Sequence, residues 1–575
     1  MGVITTRRCI TSLAGAVMVN ALGVAQAAQY DFGDDWTVHW DNTVLYNLGF
    51  RAKGVDDHIG NNPNFSENDY RFKDAGDVVT NRMSLLSELD AQHAESFGSS
   101  GFRISASGFR DFAYDSDVDN NPGEVAPGVP YSALGSYKND RFSDYSKKRY
   151  VMGAEILDAF VFANFDDVMG HATSVKLGRL TAYWGNALFF GNAGINYSQN
   201  AVDNIKGASA PGTQAKELAI PRAQFLVSTQ VTPELLAEAQ YFMEFQGNRL
   251  PEGGTYLGIT NFLFDGPDFL LGPNGVPHGH NYKPDGINDN FGLRLSWSPE
   301  WLRGALGLYY RHFDETQPWA PLFGVDASGN PNYHTAYAKN VDMLGISLDK
   351  QIGSLSTGFE VSYRRNTALN SAVGPLPGDL KGREGARGDT LNVVANVLSG
   401  LTPTPFYQTG TALAEIAYTR KLSVTENNDL YNGTHSAGCP TGSKWDGCST
   451  DDAVSIAGQF DPQWLQVFPG VDLDMPIFAM YGLSGNSASL GSPVNQGALN
   501  YTFGVHALVR STYNVTLQYN GYHAHQSGGL TNFPTASGTP VPVGTQGFPS
   551  YYASGNGTYF YNDKDWVSLT FQASF

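Results

Sequence analysis

Glu88, Glu238, Glu244, Glu360 and Glu415, with Arg103, Arg294 and Arg364, are the residues of this sequence whose types and placement could do chemistry together. Each falls in a segment where apolar and polar residues alternate, and each takes the polar phase. In FEVSYR, Phe359, Val361 and Tyr363 share one face while Glu360, Ser362 and Arg364 share the other. In FGLRLSW, Phe291, Leu293, Leu295 and Trp297 oppose Gly292, Arg294 and Ser296. Period two is the geometry of a strand. If the apolar face of such strands meets lipid, an Arg or Lys turned toward it costs about 2 to 4 kcal/mol at the midplane. The charges are therefore expected to face an enclosed interior. Two roles are open to them there: pairing across the interior to solvate and stiffen it, or lining a constriction that orients a passing solute.

Other chemistry is poorly supported. There is no G-x-S-x-G, because GLSGN breaks the pattern at Asn486, and no phosphate-binding loop or H-E-x-x-H helix. The 12 histidines are scattered, and one such as His506 on a strand reads as a lumen-facing polar residue. DSDVDNNPGE, from Asp115 to Glu124, spaces acids as a calcium loop does. Asn120 stands where that loop needs glycine, and Glu124 comes two residues early. No enzyme activity, metal or cofactor is expected. Formal charge is −19, and loss of Arg7 and Arg8 with a leader makes it more negative still, which argues against nucleic acid as a partner. Cys439 and Cys448, nine apart in a Gly/Ser-rich stretch of an exported chain, are expected to close one loop as a disulfide.

The elements that must position the charges follow a lopsided plan. AEILDAFVFANF turns through DDVMGH into TSVKLGRL, LAIPRAQFLVSTQ turns at Val231-Thr232-Pro233, and NFGLRLSW turns at Ser298-Pro299-Glu300. MLGISLDKQ turns at Ile352-Gly353, and TFGVHALVR turns at Ser511 to Tyr513. Between these hairpins lie long polar stretches. A sandwich has no reason to sort its loops by length, whereas an outer-membrane barrel has short periplasmic turns and long extracellular loops. The expected fold is an all-β, antiparallel transmembrane barrel. About 18 strands are expected, with QWLQVF and VDLDMPIFAMYGL forming a hairpin across Pro469-Gly470; the alternative of 16 leaves a loop of roughly 70 residues, a length that is uncommon.

Both ends agree. MGVITTRRCITSLAGAVMVNALGVAQA has a basic start, a short apolar run and Ala25-Gln26-Ala27, so residues 1–27 read as a removed signal peptide and 28–575 as the barrel. Beyond it no run of 18 apolar residues occurs, and any membrane span must be made of strands. Gly 65, Tyr 30 and Phe 34 with only 16% charged residues suit such a chain. The terminus DWVSLTFQASF alternates to the last residue, so Phe575 is read as the end of an insertion signal on a closing strand that pairs near Val44 to Phe50.

MSLLSELD, GFRISASGFRDFAYD, KLGRLTAYWG, PGTQAKELAIP and GISLDKQIGSLSTGFEVSYRRN together resemble the landmark stretches of the proteobacterial domain-of-unknown-function family 1302, from about Trp36 to Phe575. The resemblance implies an outer-membrane barrel that works near a second exported family and an inner-membrane exporter of the lipid-transporting type. It implies no catalytic residues. Expected partners are outer-membrane lipid and lipopolysaccharide, the barrel-insertion machinery and that exporter. The expected function is a porin-like channel for small hydrophobic or amphipathic molecules, with a structural or assembly role as the alternative. The loop Asn248 to Tyr282, with NFLFDGPDFLLGPNG, is too apolar to lie in water and is expected to fold inward or pack on its neighbours; NAVDNIKGASAPGTQAKELAIP is expected to fold into the barrel mouth.

Overall fold

The alternating segments become strands wherever their apolar phase can be turned outward as a continuous surface. In the computed structural model, which describes residues 28–575 apart from 34, 288, 327, 373–383, 492–493 and 533–548, these strands close on themselves. The expected leader lies outside the described residues. Among the described residues the barrel has 18 antiparallel strands. They are β1 (Trp36–Arg51), β2 (Val78–Glu95), β3 (Gly98–Asp111), β4 (Met152–Val168), β5 (His171–Leu180) and β6 (Arg222–Thr232). Next come β7 (Leu235–Phe242), β8 (Phe291–Trp297), β9 (Gly304–Phe313), β10 (Val341–Ile352), β11 (Leu355–Ala368) and β12 (Arg387–Gly400). The last are β13 (Thr409–Glu426), β14 (Asp452–Phe468), β15 (Val471–Asp474 continued by Ile477–Ser484), β16 (Leu499–Val509), β17 (Tyr513–His523) and β18 (Trp566–Ser574). The hairpin that the expected count of 18 requires exists as β14 and β15, with Phe468 paired to Val471.

Each strand pairs with its sequence neighbour, and β18 returns to β1 from Thr43↔Ser574 to Phe50↔Val567, the stretch expected for closure. The last residue completes the seam: Phe575 N–H donates to the Asn42 carbonyl at 2.9 Å, and Asn42 N–H donates to that of Phe575 at 2.7 Å. A short strand, Ala28–Phe32, folds back on the start of β1 below this point. Closure leaves the barrel without an unpaired edge along its length.

The outer wall is apolar and open. Leu293, Leu295, Leu308, Leu344, Ile346 and Leu517 are all exposed, Leu344 at 58% and Leu517 at 54%. Such a belt is unfavourable in water and is the surface a spanning barrel presents to lipid. No helix among the described residues is long and apolar enough to span, so the strands do it. The inner wall carries the opposite phase, with Asn47, Arg82, Glu88, Arg311, Glu360, Arg364, Asn392 and Glu415 all buried.

Long loops gather at one end as a cap. Phe72, Tyr114, Tyr137, Phe142, Tyr150, Tyr256, Leu257 and Trp566 form one cluster, joining the loops 52–77, 112–151 and 243–290 to β18. The apolar loop Asn248 to Tyr282 packs on its neighbours: Tyr256 and Leu257 join this cluster, Leu263 and Phe264 pack with Leu250, and Leu270 packs on Phe323 and Tyr333. Charges lock it further: buried Arg51 meets Asp69 at 3.5 Å and Asp563 at 3.1 Å, and Lys564 also bonds Asp69. Cys439 and Cys448 are joined as a disulfide in the loop 427–451.

Candidate functional site: a loop latched inside the barrel

Four of the eight charges singled out in the sequence, Glu88, Glu360, Arg364 and Glu415, meet one loop. Residues 181–221, between β5 and β6, leave the rim and run down into the lumen, where the segment 186–197 (NALFFGNAGINY) is gripped from the wall. A loop buried in a barrel must find partners for every peptide group. Carboxylates on the wall take its N–H groups. Glu360 on β11 accepts from Asn186 N–H, from Ala187 at 3.0 Å and from Ile195 at 2.8 Å. Glu415 on β13 accepts from Leu188 at 2.6 Å, Phe189 at 2.8 Å and Phe190 at 2.6 Å, and also from the Asn396 side chain at 3.1 Å.

Guanidinium groups take the carbonyls. Arg364 on β11 donates to Asn192 O and Gly194 O, both at 2.9 Å, with its guanidinium carbon 4.0 Å from the centre of the Tyr197 ring. Arg311 on β9 donates to Ile195 O at 3.0 Å and Tyr197 O at 2.7 Å. All four side chains are buried. Bonds to ionised groups are about twice as strong as neutral ones, so this is a latch on the backbone that does not depend on loop side chains.

The same loop then crosses the interior. A short helix, Asn204–Ser209, is capped by the Asp203 carboxylate, and its Lys206 meets Glu155 on β4 at 3.0 Å. Pro211 O accepts from Asn47 of β1 at 2.6 Å, beside Thr570 of β18. Gly212 has φ +83°, and a Cβ there would stand 2.9 Å from the Thr570 methyl, so glycine is needed at this approach. Lys216 ends the crossing on Glu88. The loop thus reaches from the wall of β11 and β13 to that of β1, β2 and β18.

The remaining sequence-selected residues fall into two groups. Arg103 bonds Glu88, and meets Asp90 at 2.7 Å and Asp158 at 3.3 Å, so this group joins the far end of the loop to the wall. Glu238 and Arg294 pair at 2.7 Å across β7 and β8, apart from the latch. Glu244 is no wall residue: β7 ends at Phe242, and the carboxylate takes Ala223 N–H at 2.9 Å and Arg179 at 3.3 Å near the rim. His506 faces inward as a polar residue, with Asp474 at 2.5 Å and Asn514 at 3.0 Å. In the Asp115 to Glu124 loop, Asp115 and Asp119 bind Arg71 and Asp117 binds Arg141, and no group of three candidate ligands surrounds a metal position among the described residues.

Sequence reasoning did not single out Arg311, nor the apolar socket beside the latch. Phe190 and Ala193 pack on Val394, Ala417 and Ala457 of β12, β13 and β14, with Phe189, Phe478 and Met480 against them. Phe189 and Phe478 rings lie 5.2 Å apart. Lower on the same wall, Leu398 pairs with Leu413 in the inward phase, and Leu398 is 39% exposed. Adjacent Phe189 and Phe190 in an otherwise polar loop were the available signal.

In the cap, Ser136 bonds the fully buried Glu67 carboxylate through its N–H at 2.7 Å and through its hydroxyl. Burial pushes this carboxyl up from 4.5 to about 7, against the opposing pull of the Ser136 bonds.

The model of the family described as "Protein of unknown function (DUF1302)" matches residues 8–575. No curated protein matches the chain. Among solved structures it is similar to Pseudomonas aeruginosa OpdK crystallised with vanillate, at 11% identity and TM-score 0.41 over 93% of this chain and 98% of that one. It is similar to Acinetobacter baumannii OccAB1 at 9% identity and TM-score 0.40, over 93% and 96% of the two chains. The Acinetobacter baumannii outer membrane channel DcaP gives 8% identity and TM-score 0.35, over 95% and 100%.

Proposed function

The chain belongs to the DUF1302 family, and from that premise and the geometry of its interior we propose that it is a gated outer-membrane channel for small hydrophobic or amphipathic molecules. The observation that carries the reading is the apolar seam behind the latched loop. Lumen-facing positions of a water-filled barrel are polar, yet here Val394, Ala417, Ala457, Phe478 and Met480 turn inward and receive Phe189 and Phe190. The loop's own phenyl groups occupy a surface on which an apolar solute can take their place, and Leu398 and Leu413 offer a second apolar pair toward the turn side, past the Asn396 and Glu415 pair.

In this reading the wall charges hold the gate rather than touch the solute. Passage needs the segment 186–197 to shift, and no energy source beyond the solute gradient. The test is permeation into proteoliposomes of an apolar solute and a similarly sized charged one. The apolar solute is expected to enter faster than in protein-free vesicles, and more so when Phe189 and Phe190 are both replaced by Ser. Equal entry with and without protein, for wild type and variant alike, refutes a channel. It would leave the structural role, in which the plugged barrel is an outer-membrane terminus for lipid moved by an inner-membrane exporter.

A further inference from the structure

Above the apolar seam lies a cleft of opposite character. It has a volume of about 310 Å³ and an almost wholly polar wall made by Asn370, Ser371, Asn432, Ser487, Ser489 and Asn495, with glycines between them. None of these side chains is charged. The six side chains come from the loops after β11, β13 and β15, and Gly555 and Gly557 come from the loop before β18.

The frame of the cleft is held by backbone bridges, buried amides and a disulfide. Bridges join Leu369 to Ser489 and Ser371 to Tyr431. The buried amides of Asn486 and Asn556 exchange bonds at 2.9 and 3.1 Å, and Asn486 also donates to Lys444 O and Cys448 O beside the disulfide. One wall group has no partner: the Ser489 hydroxyl, in a residue only 2% exposed, makes no hydrogen bond. A buried hydroxyl left unpaired is costly, and in a concave polar wall it has a hydrogen bond to offer a ligand that enters.

The cleft and the seam share a segment. Gly491 and Asn495 line the cleft, the Gly491 carbonyl accepts from Asn192 of the latched loop, and Val494 packs in the apolar socket. A molecule with its polar end in the cleft would have its apolar end over Phe189 and Phe190. We infer that this cleft is a recognition site for the neutral, hydroxylated head of an amphipathic molecule whose apolar part enters the seam below. The inference rests on the channel reading and names its substrate class: an uncharged wall of amides and hydroxyls pairs with hydroxyl groups and offers an anionic head no counter-charge.

The barrel in nanodiscs, with empty discs subtracted, is titrated with octyl β-glucoside and with octyl sulfate, both below their micelle concentrations. The glucoside is expected to bind saturably and the sulfate at least tenfold more weakly. Ser489→Ala, which breaks no bond of the protein, and Asn495→Ala should each weaken the glucoside at least fivefold while heat-modifiable migration in gels stays normal. Equal binding of the two probes, or variants that bind as the wild type does, overturns the site. Permeation of octyl glucoside into proteoliposomes is measured separately. Cleft-dependent binding without passage would overturn the channel and keep the site, whereas passage indifferent to both variants would overturn the site and keep the channel.

Discussion

Replacing Glu415 by Ala withdraws the acceptor shared by Leu188, Phe189 and Phe190, whose N–H groups lie 2.6, 2.8 and 2.6 Å from it. A hydrogen bond to a charged group is worth about 1.5 to 3 kcal/mol net, so three represent roughly 4.5 to 9 kcal/mol. Water entering the vacated space restores part of this, and about 4 kcal/mol is a fair lower figure. At about 1.4 kcal/mol per tenfold, the released form of the loop should gain nearly 10³ in relative population. The barrel itself should survive, because its strand ladder does not run through Glu415's carboxylate. Amide exchange read segment by segment should therefore lose protection at 186–195 by two to three decades while the strands keep theirs, and planar-bilayer conductance should rise or flicker. Glu415→Gln, which keeps one acceptor oxygen, should fall between the two. Unchanged protection of 188–190 in a folded Glu415→Ala barrel would refute the latch. Loss of the strands as well would show that the loop and barrel form one cooperative unit.

Deleting Phe575 removes two backbone bonds to Asn42 and the end of the closing seam, so the heat-modifiable fraction in the outer membrane should drop; a normal fraction would count against the insertion-signal reading. In the cap, Glu67 has its carboxyl raised from 4.5 to about 7, so the folded form holds the proton more tightly than the unfolded loop does. Its contribution is complete below about pH 4.5 and is lost as the pH rises to about 7, a change of about 3 kcal/mol. Protease cutting of the loops 52–77 and 112–151 should be faster at pH 8 than at pH 5, after correction for the protease's own pH profile, and Glu67→Gln should flatten that difference. Changing Cys439 and Cys448 together to Ser opens a small loop closure worth about 2 to 3 kcal/mol. The loop 427–451 should then exchange and be cut faster, with no effect on strand protection.

Much of the fold was legible in the residues because a spanning barrel is dictated locally. Period two places Leu293 and Leu295 outward and Arg294 inward whatever the rest of the chain does. Short turns such as Ile352-Gly353 join neighbours without reference to distant residues. The terminal alternation through Phe575 and its pairing near Val44 to Phe50 follow from the same rule, since an even, closed set of strands leaves its last strand only the first to pair with. Loop length favoured the hairpin at Pro469-Gly470, and the pairing of Phe468 with Val471 bears it out.

The interior was decided elsewhere. Alternation states that Glu360, Arg364 and Glu415 face inward, but inside a barrel an inward carboxylate can meet water, an opposite charge or a peptide N–H. That choice depends on what else occupies the lumen. The occupant is a loop more than a hundred residues earlier in the chain, and the contacts are to its backbone, which carries no side-chain signature. Glu360 and Arg364 were therefore visible as lumen-facing residues but not as partners of Asn186 to Tyr197, and Arg311 could not be set apart from other strand arginines. The cleft is a stronger case still. Asn370, Asn432, Ser489 and Asn495 are ordinary loop residues in the sequence, and only the folding of their three loops against one another brings them to one cleft. What a strand does to its own side chains is local and readable; what fills a closed space is set by chain segments far apart, and only the tertiary structure decides it.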